Sequence, residues 1–309
     1  MRLVFAMDTL DRVDPKKDTT FGFIEAATAL GHRCEHCLIH EIELVNGAVS
    51  AKVRRIEYAP DGLTLAPDRE RLAFADADAV LIRKDPPFDA AYNHATLLLE
   101  KARGDTLVVN DPRGLREANE KLYALYFAEH MPETIVCSDR DTIHAFVADR
   151  GAAVIKPLDG MGGFGVMMLR QGYPNNSAIV DMLTLEGTRL AEVQALIPNA
   201  EQGDKRVLLL DGKPLGAILR VPSGGDFRAN IHVGGNVVPT ELTTKENEIV
   251  EAVAPRLQRD GLYFVGLDLV GGRLTEVNVT SPTGIRELSR FAGERKSDAV
   301  IRWIEERTS

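Results

Sequence analysis

Cysteine is scarce, with three residues in a chain of 309. That is too few for a disulfide framework and agrees with a reducing compartment. Positive charge is not in excess either: 37 Lys and Arg stand against 46 Asp and Glu, a net charge of −9. A general nucleic-acid surface needs a basic patch to neutralise phosphates, so any anion site here has to be local. No apolar run approaches the ~20 residues needed to span a bilayer. The opening residues, Met1 to Asp8, are too short and too soon acidic for a signal peptide, and a cytoplasmic protein is expected. There is no internal repeat, no low-complexity tract, no G-x-x-x-x-G-K-[ST] phosphate loop and no G-x-S-x-G nucleophile elbow.

Hydrophobic residues make up 44% and charged residues 27%, close to the soluble average, and the length fits two or three compact units. Leu3 to Met7 has the texture of a buried strand, and Phe21 to Leu30 has helical spacing after potential caps at Asp18, Thr19 and Thr20. Strands at Ala79 to Ile82 and Thr106 to Val109 flank a helix over Tyr92 to Ala102, so residues 1–115 predict an α/β domain with a mostly parallel sheet. His32, Cys34, His36, Cys37 and His40 crowd together, but Glu35 to Ile39 looks like a strand, on which Cys34 and Cys37 point to opposite faces. Ordinary strand residues are favoured there over a metal or redox site.

Leu115 to Glu129 is expected to be helical, and short strands around glycine turns begin near Val154. Residues 116–197 form the second expected unit and 198–309 the third. The third contains a hairpin on Asp211-Gly212, a loop over residues 222–236 with flap composition, a helix from Thr243 or Thr244 to Asp260, and strands at Tyr263 to Val270 and Leu274 to Val279. Val300, Ile301, Trp303 and Ile304 give the last helix a packing face.

Gly160, Gly162, Gly163 and Gly165 satisfy G-x-G-x-x-G after the strand Val154-Ile155. A dinucleotide fingerprint would next open a helix, whereas Val166 to Leu169 predicts another strand. The glycines then form a loop between antiparallel strands, where backbone N–H groups can approach phosphate. Lys121 and Lys156 are the lysines placed to help. Asp268, Glu276 and Asn278 are polar in an otherwise apolar hairpin, and burying carboxylates there is costly unless they are paired or bind a cation. If Gly271-Gly272-Arg273 is the loop, Asp268 lies opposite Glu276 and three oxygens converge as a site for Mg²⁺; a strict two-residue turn would send Asp268 to the other face. Arg206, Arg220 and Arg228 are suited to a phosphoryl group in transfer.

These blocks, with Lys16 to Thr20, Arg83 to Asp89, Asn119 to Leu122, Lys156 to Gly160, Gly203 to Arg206 and Thr275 to Arg286, resemble bacterial glutathione synthetase over nearly the whole length. The resemblance implies an ATP-grasp fold of α/β class. It implies ATP with Lys121 and Lys156 on its phosphates, adenine against Gln194, Ala195, Leu196 and Ile197, and Asp204 on the nucleotide side. Two Mg²⁺, with Mn²⁺ as an alternative, would be held by Asp268, Glu276 and Asn278. Lys17, Asp18, Ser281, Thr283, Gly284 and Arg286 would meet substrate. The implied reaction joins γ-glutamylcysteine to glycine through an acyl phosphate; the implied partners are these small molecules, with a homo-oligomer, dimer or tetramer, by family analogy. Ala229, His232 and Asn236 depart from the family's flap and bear on the choice of amine. The alternatives are a ligase for another dipeptide or amine, and a nucleotide-binding module without catalysis; the second is disfavoured because the lysines and acidic residues are all present.

Overall fold

The computed structural model describes residues 1–222 and 236–309 and contains three sheets. The first comprises β1 (Arg2–Met7), β2 (Arg33–Cys37), β3 (Ile42–Val45), β4 (Ala48–Ala59), β5 (Gly62–Leu65), β6 (Glu70–Ala73), β7 (Ala79–Arg83) and β8 (Leu107–Val109). Its parallel part, β2-β1-β7-β8, contains the strands expected from the sequence; β3 to β6 form an antiparallel extension hung on β4 that was not expected. Strand alternation divides the core: Leu3 and Phe5 pack with Cys34 on one face, Val4 and Ala6 with Cys37 on the other. The two thiols therefore face away from each other, as the strand reading expects, and burial pushes that of Cys34 up to about 12.

Helix α1 (Thr19–Ala29) starts where the Asp18 carboxylate accepts the Phe21 N–H, and α2 (Ala90–Lys101) starts at Asp89 in the same way. The expected helix over 115–129 is interrupted. It splits into α3 (Pro112–Glu117) and a 3₁₀ stretch (Leu122–His130), because residues 119–121 have stronger partners elsewhere. The Asn119 side chain accepts the N–H groups of Lys121 and Leu122, and the Glu120 carboxylate accepts those of Val279 and Thr280.

The second sheet is antiparallel, in the order β11-β10-β12-β9, from β9 (Thr134–Cys137), β10 (Ala152–Pro157), β11 (Met167–Arg170) and β12 (Ala191–Ala195). Helices α4 (Arg140–Arg150) and α5 (Asn176–Thr184) cover the face carrying Ala153 and Ile155. Val154 and Lys156 point the other way.

The third sheet, also antiparallel, runs β15-β14-β13-β16-β17, from β13 (Asp204–Leu210), β14 (Lys213–Val221), β15 (Asn236–Thr240), β16 (Phe264–Val270) and β17 (Arg273–Asn278). Asp211-Gly212 makes the expected hairpin turn, both residues having positive φ. Helix α6 (Thr244–Arg259) opens on a capping box between Thr243 and Glu246, and α7 (Ile285–Ala292) and α8 (Ser297–Thr308) follow. Val300, Ile301, Trp303 and Ile304 of α8 are buried in the core that also holds Phe23 of α1. Among the described residues no helix is long and apolar enough to cross a membrane.

One buried side chain joins the first sheet to the third. Asn110, just past β8, donates to the carbonyls of Phe264 and Val279 and accepts the N–H groups of Tyr263 and Phe264, all at 2.7–2.9 Å. Asn110→Ala would strand four buried backbone groups and is expected to cost about 3–5 kcal/mol. The shift of the urea midpoint measures it, and a loss under about 1 kcal/mol would show that Asn110 is not the clamp.

Candidate active site

The hairpin of β16 and β17 decides where the acidic residues go. Its turn is the strict two-residue Gly271-Gly272, with Val270 opposite Arg273, which on its own would put Asp268 on the wrong face. The register shifts just beyond. Leu269 pairs with Leu274, Asp268 with Glu276 and Gly266 with Asn278, so Thr275 is an extra residue in β17 and its hydroxyl donates to the Asp268 carbonyl. The bulge restores what the turn would have lost: Asp268, Glu276 and Asn278 share one face.

On that face the charges alternate. Asp268 receives Nε and Nη2 of Arg206 at 2.5 and 3.0 Å, and Nη2 of Arg220 at 3.0 Å; Arg220 also pairs with Asp204. Burial raises the Asp268 carboxyl, but the two guanidiniums more than offset it and hold it well below the usual range. Asp204 resolves the other way: burial outweighs Arg220 and pushes it up to about 6. Lys121, almost fully buried, binds Glu276 at 2.9 Å and the Gly160 carbonyl at 2.8 Å. Burial opposes its charge, yet the Glu276 carboxylate raises its pKa.

Two cavities meet at these residues. The first is walled by β10, β12 and the glycine loop on one side and by Asp204, Asp268 and Glu276 on the other. Lys121, Lys156, Gly160, Gly162, Gly163 and the run Gln194, Ala195, Leu196 and Ile197 all line it. Lys156 is held by Gln194 at 2.5 Å and by the buried Glu192 at 3.2 Å. Gly162 and Gly163 have positive φ in a loop that exposes 79% of Phe164, and Gly165 packs on Pro157 rather than lining the cavity.

The second cavity, about 400 Å³, lies between the N-terminal segment and the third sheet. That is the size of a small-ligand site. Lys17, Asp18, Ser281 and Thr283 line it together with Arg206, Arg220, Asp268, Glu276 and Asn278. Gly284 is set back against Ile218, and Arg286 points elsewhere, paired with Glu25 and stacked near Phe21. Arg228, Ala229 and His232 lie outside the described residues, and Asn236 opens β15. The sequence reading passed over Arg12, Asp14, Asp85 and Glu120, all of which line this cavity. Asp85 and Glu120 belong to blocks quoted above for the resemblance, whereas Arg12 and Asp14 carry no signal of their own. Gly162, Asp268 and Glu276 line both cavities.

The oxygen set tests whether a hard cation fits. The Asn278 amide nitrogen is committed to the Gly266 carbonyl at 3.2 Å, leaving the amide oxygen as its other end. Glu276 uses only Oε1 on Lys121 among the described residues. The buried Asp268 carboxylate, whose oxygens also receive Arg206 and Arg220, the half-buried Glu276 carboxylate and an amide oxygen share one face, and they are ligands of the kind Mg²⁺ takes.

Solved structures share this architecture. D-cycloserine synthetase DcsG superimposes with a TM-score of 0.65 at 17% identity, covering 98% of this chain and 100% of that one. The ATP-grasp ligase PsnB, with a minimal precursor, gives 0.67 at 19%, covering 99% and 98%. The chain thus has the ATP-grasp fold. Family models for the N-terminal domain and the ATP-grasp domain of prokaryotic glutathione synthetase match residues 1–116 and 120–293. Glutathione synthetase of Synechocystis sp. is 44% identical over 99% of both chains, and that of Salmonella typhimurium 40% identical over 93% of both. The chain belongs to the prokaryotic glutathione synthetase family.

Asp204 gives this site a pH signature. Its carboxyl ionises near 3.8 when unfolded and near 6 in the fold. Its contribution to stability is therefore whole below the unfolded value and is lost as pH rises through about 6. Asp204→Asn is expected to flatten the fall in Tm between roughly pH 4 and 7, on the order of 1–2 kcal/mol in the difference between the two proteins. Parallel pH curves for wild type and variant would contradict the raised carboxyl.

Proposed function

We propose that the chain makes glutathione, the reaction named by its family. The γ-phosphoryl group of ATP passes to the free cysteinyl carboxylate of γ-glutamylcysteine, and the amine of glycine attacks the acyl phosphate. The new C–N bond forms as the C–O bond to phosphate breaks, and the amine loses a proton; the products are glutathione, ADP and phosphate. The observation that carries this reading is the wall of Asp268 and Glu276 common to both cavities. A group held in one and transferred to a substrate in the other crosses there.

Lys121 and Lys156, with the loop from Gly160 to Gly165, hold the phosphates in the first cavity, and Gln194 to Ile197 take the adenine, with Asp204 nearby. Asp268, Glu276 and Asn278 would hold Mg²⁺, two ions in the family's pattern, which neutralise charge on the phosphates. Arg206 and Arg220 present fixed positive charge where the transferring group becomes most anionic. Lys17, Asp18, Ser281 and Thr283 surround the dipeptide, in a cavity lined by four cations, Arg12, Lys17, Arg206 and Arg220, and by six carboxylates. The residue groups 1–115, 116–197 and 198–309 then act as the substrate-side domain, the lid and the metal-bearing domain. We place the enzyme in the cytoplasm, acting on small molecules as a homo-oligomer.

Phosphate release from Mg²⁺-ATP with γ-glutamylcysteine, with and without glycine, tests the reading, with the product identified by mass. Glutathione is expected only when all three substrates are present. Glu276→Gln, which removes a carboxylate from the shared wall, is expected to lower kcat by roughly 10²–10³-fold or more. ATP turnover with another amine in place of glycine would instead make this a ligase of different acceptor, and Glu276→Gln turning over like wild type would remove the shared wall from the mechanism.

A further inference from the structure

Glu192 and Gln194 lie two apart on β12, so both side chains leave the sheet on the face opposite Val193. The register sets Lys156 of β10 beside Glu192 and Thr134 of β9 beside Gln194. Glu192 is completely buried, and its Oε2 accepts no hydrogen bond among the described residues; the Lys156 ammonium stands 3.2 Å from it. A carboxylate taken this far from water is costly, and an apolar side chain would cover the sheet without that cost.

The carboxylate fixes its neighbour. The Gln194 amide has two ends of nearly equal size, an oxygen that accepts and a nitrogen that donates, and its shape prefers neither arrangement. Its surroundings allow only one. The Thr134 hydroxyl gives its proton to the Pro132 carbonyl at 2.8 Å, so toward Gln194 it can only accept. An ionised carboxylate accepts and never donates, and an ammonium donates and never accepts. The Gln194 nitrogen therefore faces Thr134 and Glu192, each at 3.3 Å, and the oxygen faces Lys156 at 2.5 Å. Lys156 and Gln194 line the first cavity, with Glu192 and Thr134 standing behind them. The end of Gln194 presented beside Lys156 is thus an acceptor, and a carbonyl oxygen has a second lone pair to offer.

We propose that Glu192 is a positioning residue for nucleobase choice: by holding the Gln194 amide with its oxygen toward the nucleotide, it makes the first cavity prefer a purine with an amino group at carbon 6 to one with a carbonyl there. The 6-amino group donates to the Gln194 oxygen, whereas a 6-carbonyl sets two acceptors against each other with no proton between them. The inference rests on the reading given under Proposed function, in which adenine lies against Gln194, and extends it to a carboxylate that touches no substrate.

The test compares Glu192→Gln, which keeps the shape but offers a donor as well as an acceptor, with Thr134→Val, which removes the hydroxyl on the other side at nearly constant volume. Calorimetry measures Kd for Mg²⁺-ADP and Mg²⁺-IDP, which differ at that edge of the base, with Tm alongside; kcat/KM for ATP and ITP repeats the comparison during turnover. The wild type is expected to prefer ADP on the order of 10²-fold, Glu192→Gln to narrow that preference about tenfold, and Thr134→Val to narrow it about threefold. Loss of the Lys156 contact alone, or a loosened fold, would weaken both nucleotides together and leave their ratio unchanged. An unchanged ratio in Glu192→Gln overturns the inference, as does a wild type with no preference. If Glu192→Gln does not fold, an unchanged ratio in Thr134→Val overturns it instead. Glutathione formation is scored separately by mass: a wild type that prefers ADP but makes no glutathione overturns the parent reaction and leaves this inference standing, whereas one that binds neither nucleotide overturns both.

Discussion

The buried charge row of the third sheet is the constraint on which the rest depends. Arg206, Arg220 and Lys121 face Asp204, Asp268 and Glu276, each within ion-pair distance of an opposite charge. No member can be taken alone into the interior without a penalty of several kcal/mol, so the chain has to deliver them as a set. Cross-strand register does most of this, pairing Asp204 with Arg220, Arg206 with Asp268 and Asp268 with Glu276. Two local irregularities complete it: the extra residue Thr275 in β17, and the break in helix at residues 118–121 that frees Lys121 to reach Glu276.

Both irregularities mark the boundary of what the sequence conveys. Period-2 and period-3.6 patterns located the parallel strands of the first sheet, helices α1, α2, α6 and α8, and the antiparallel strands flanking the glycine loop. They gave the right partner for Asp268 but the wrong route, since the turn is two residues long and a bulge supplies the correction. A bulge is a compromise among packing, turn type and hydrogen bonds on neighbouring strands, none of which a local window contains. The helix expected over 115–129 failed for a related reason: its helical propensity is intact, but the side chains of Asn119 and Glu120 bind groups as distant as Thr280. Helix propensity is worth tenths of a kcal/mol per residue, and tertiary hydrogen bonds to a buried carboxylate exceed it.

The site residues divide the same way. Lys156, Gly160, Gly162, Gly163, Asp268, Glu276 and Asn278 were legible from their setting, a lysine leading into a glycine loop and polar oxygens in an apolar hairpin, whereas Lys121 was unremarkable by itself and was carried by its context. Arg12 and Asp14 look like ordinary loop residues, and only the fold brings them to a cavity with the third sheet. Arg286 is the converse case, a cation adjacent to the cavity loop in sequence whose side chain is turned to Glu25 on α1.

The common wall between the two cavities also has a pharmacological consequence. If nucleotide and dipeptide occupy the two cavities as proposed, a single molecule carrying a mimic of each would span Asp268 and Glu276. Such a compound loses its translational and rotational freedom once while collecting contacts from both cavities, so its affinity should exceed that of either half by orders of magnitude. The length and rigidity of the bridge past those two carboxylates, rather than the chemistry of either end, would set how much of that gain is realised.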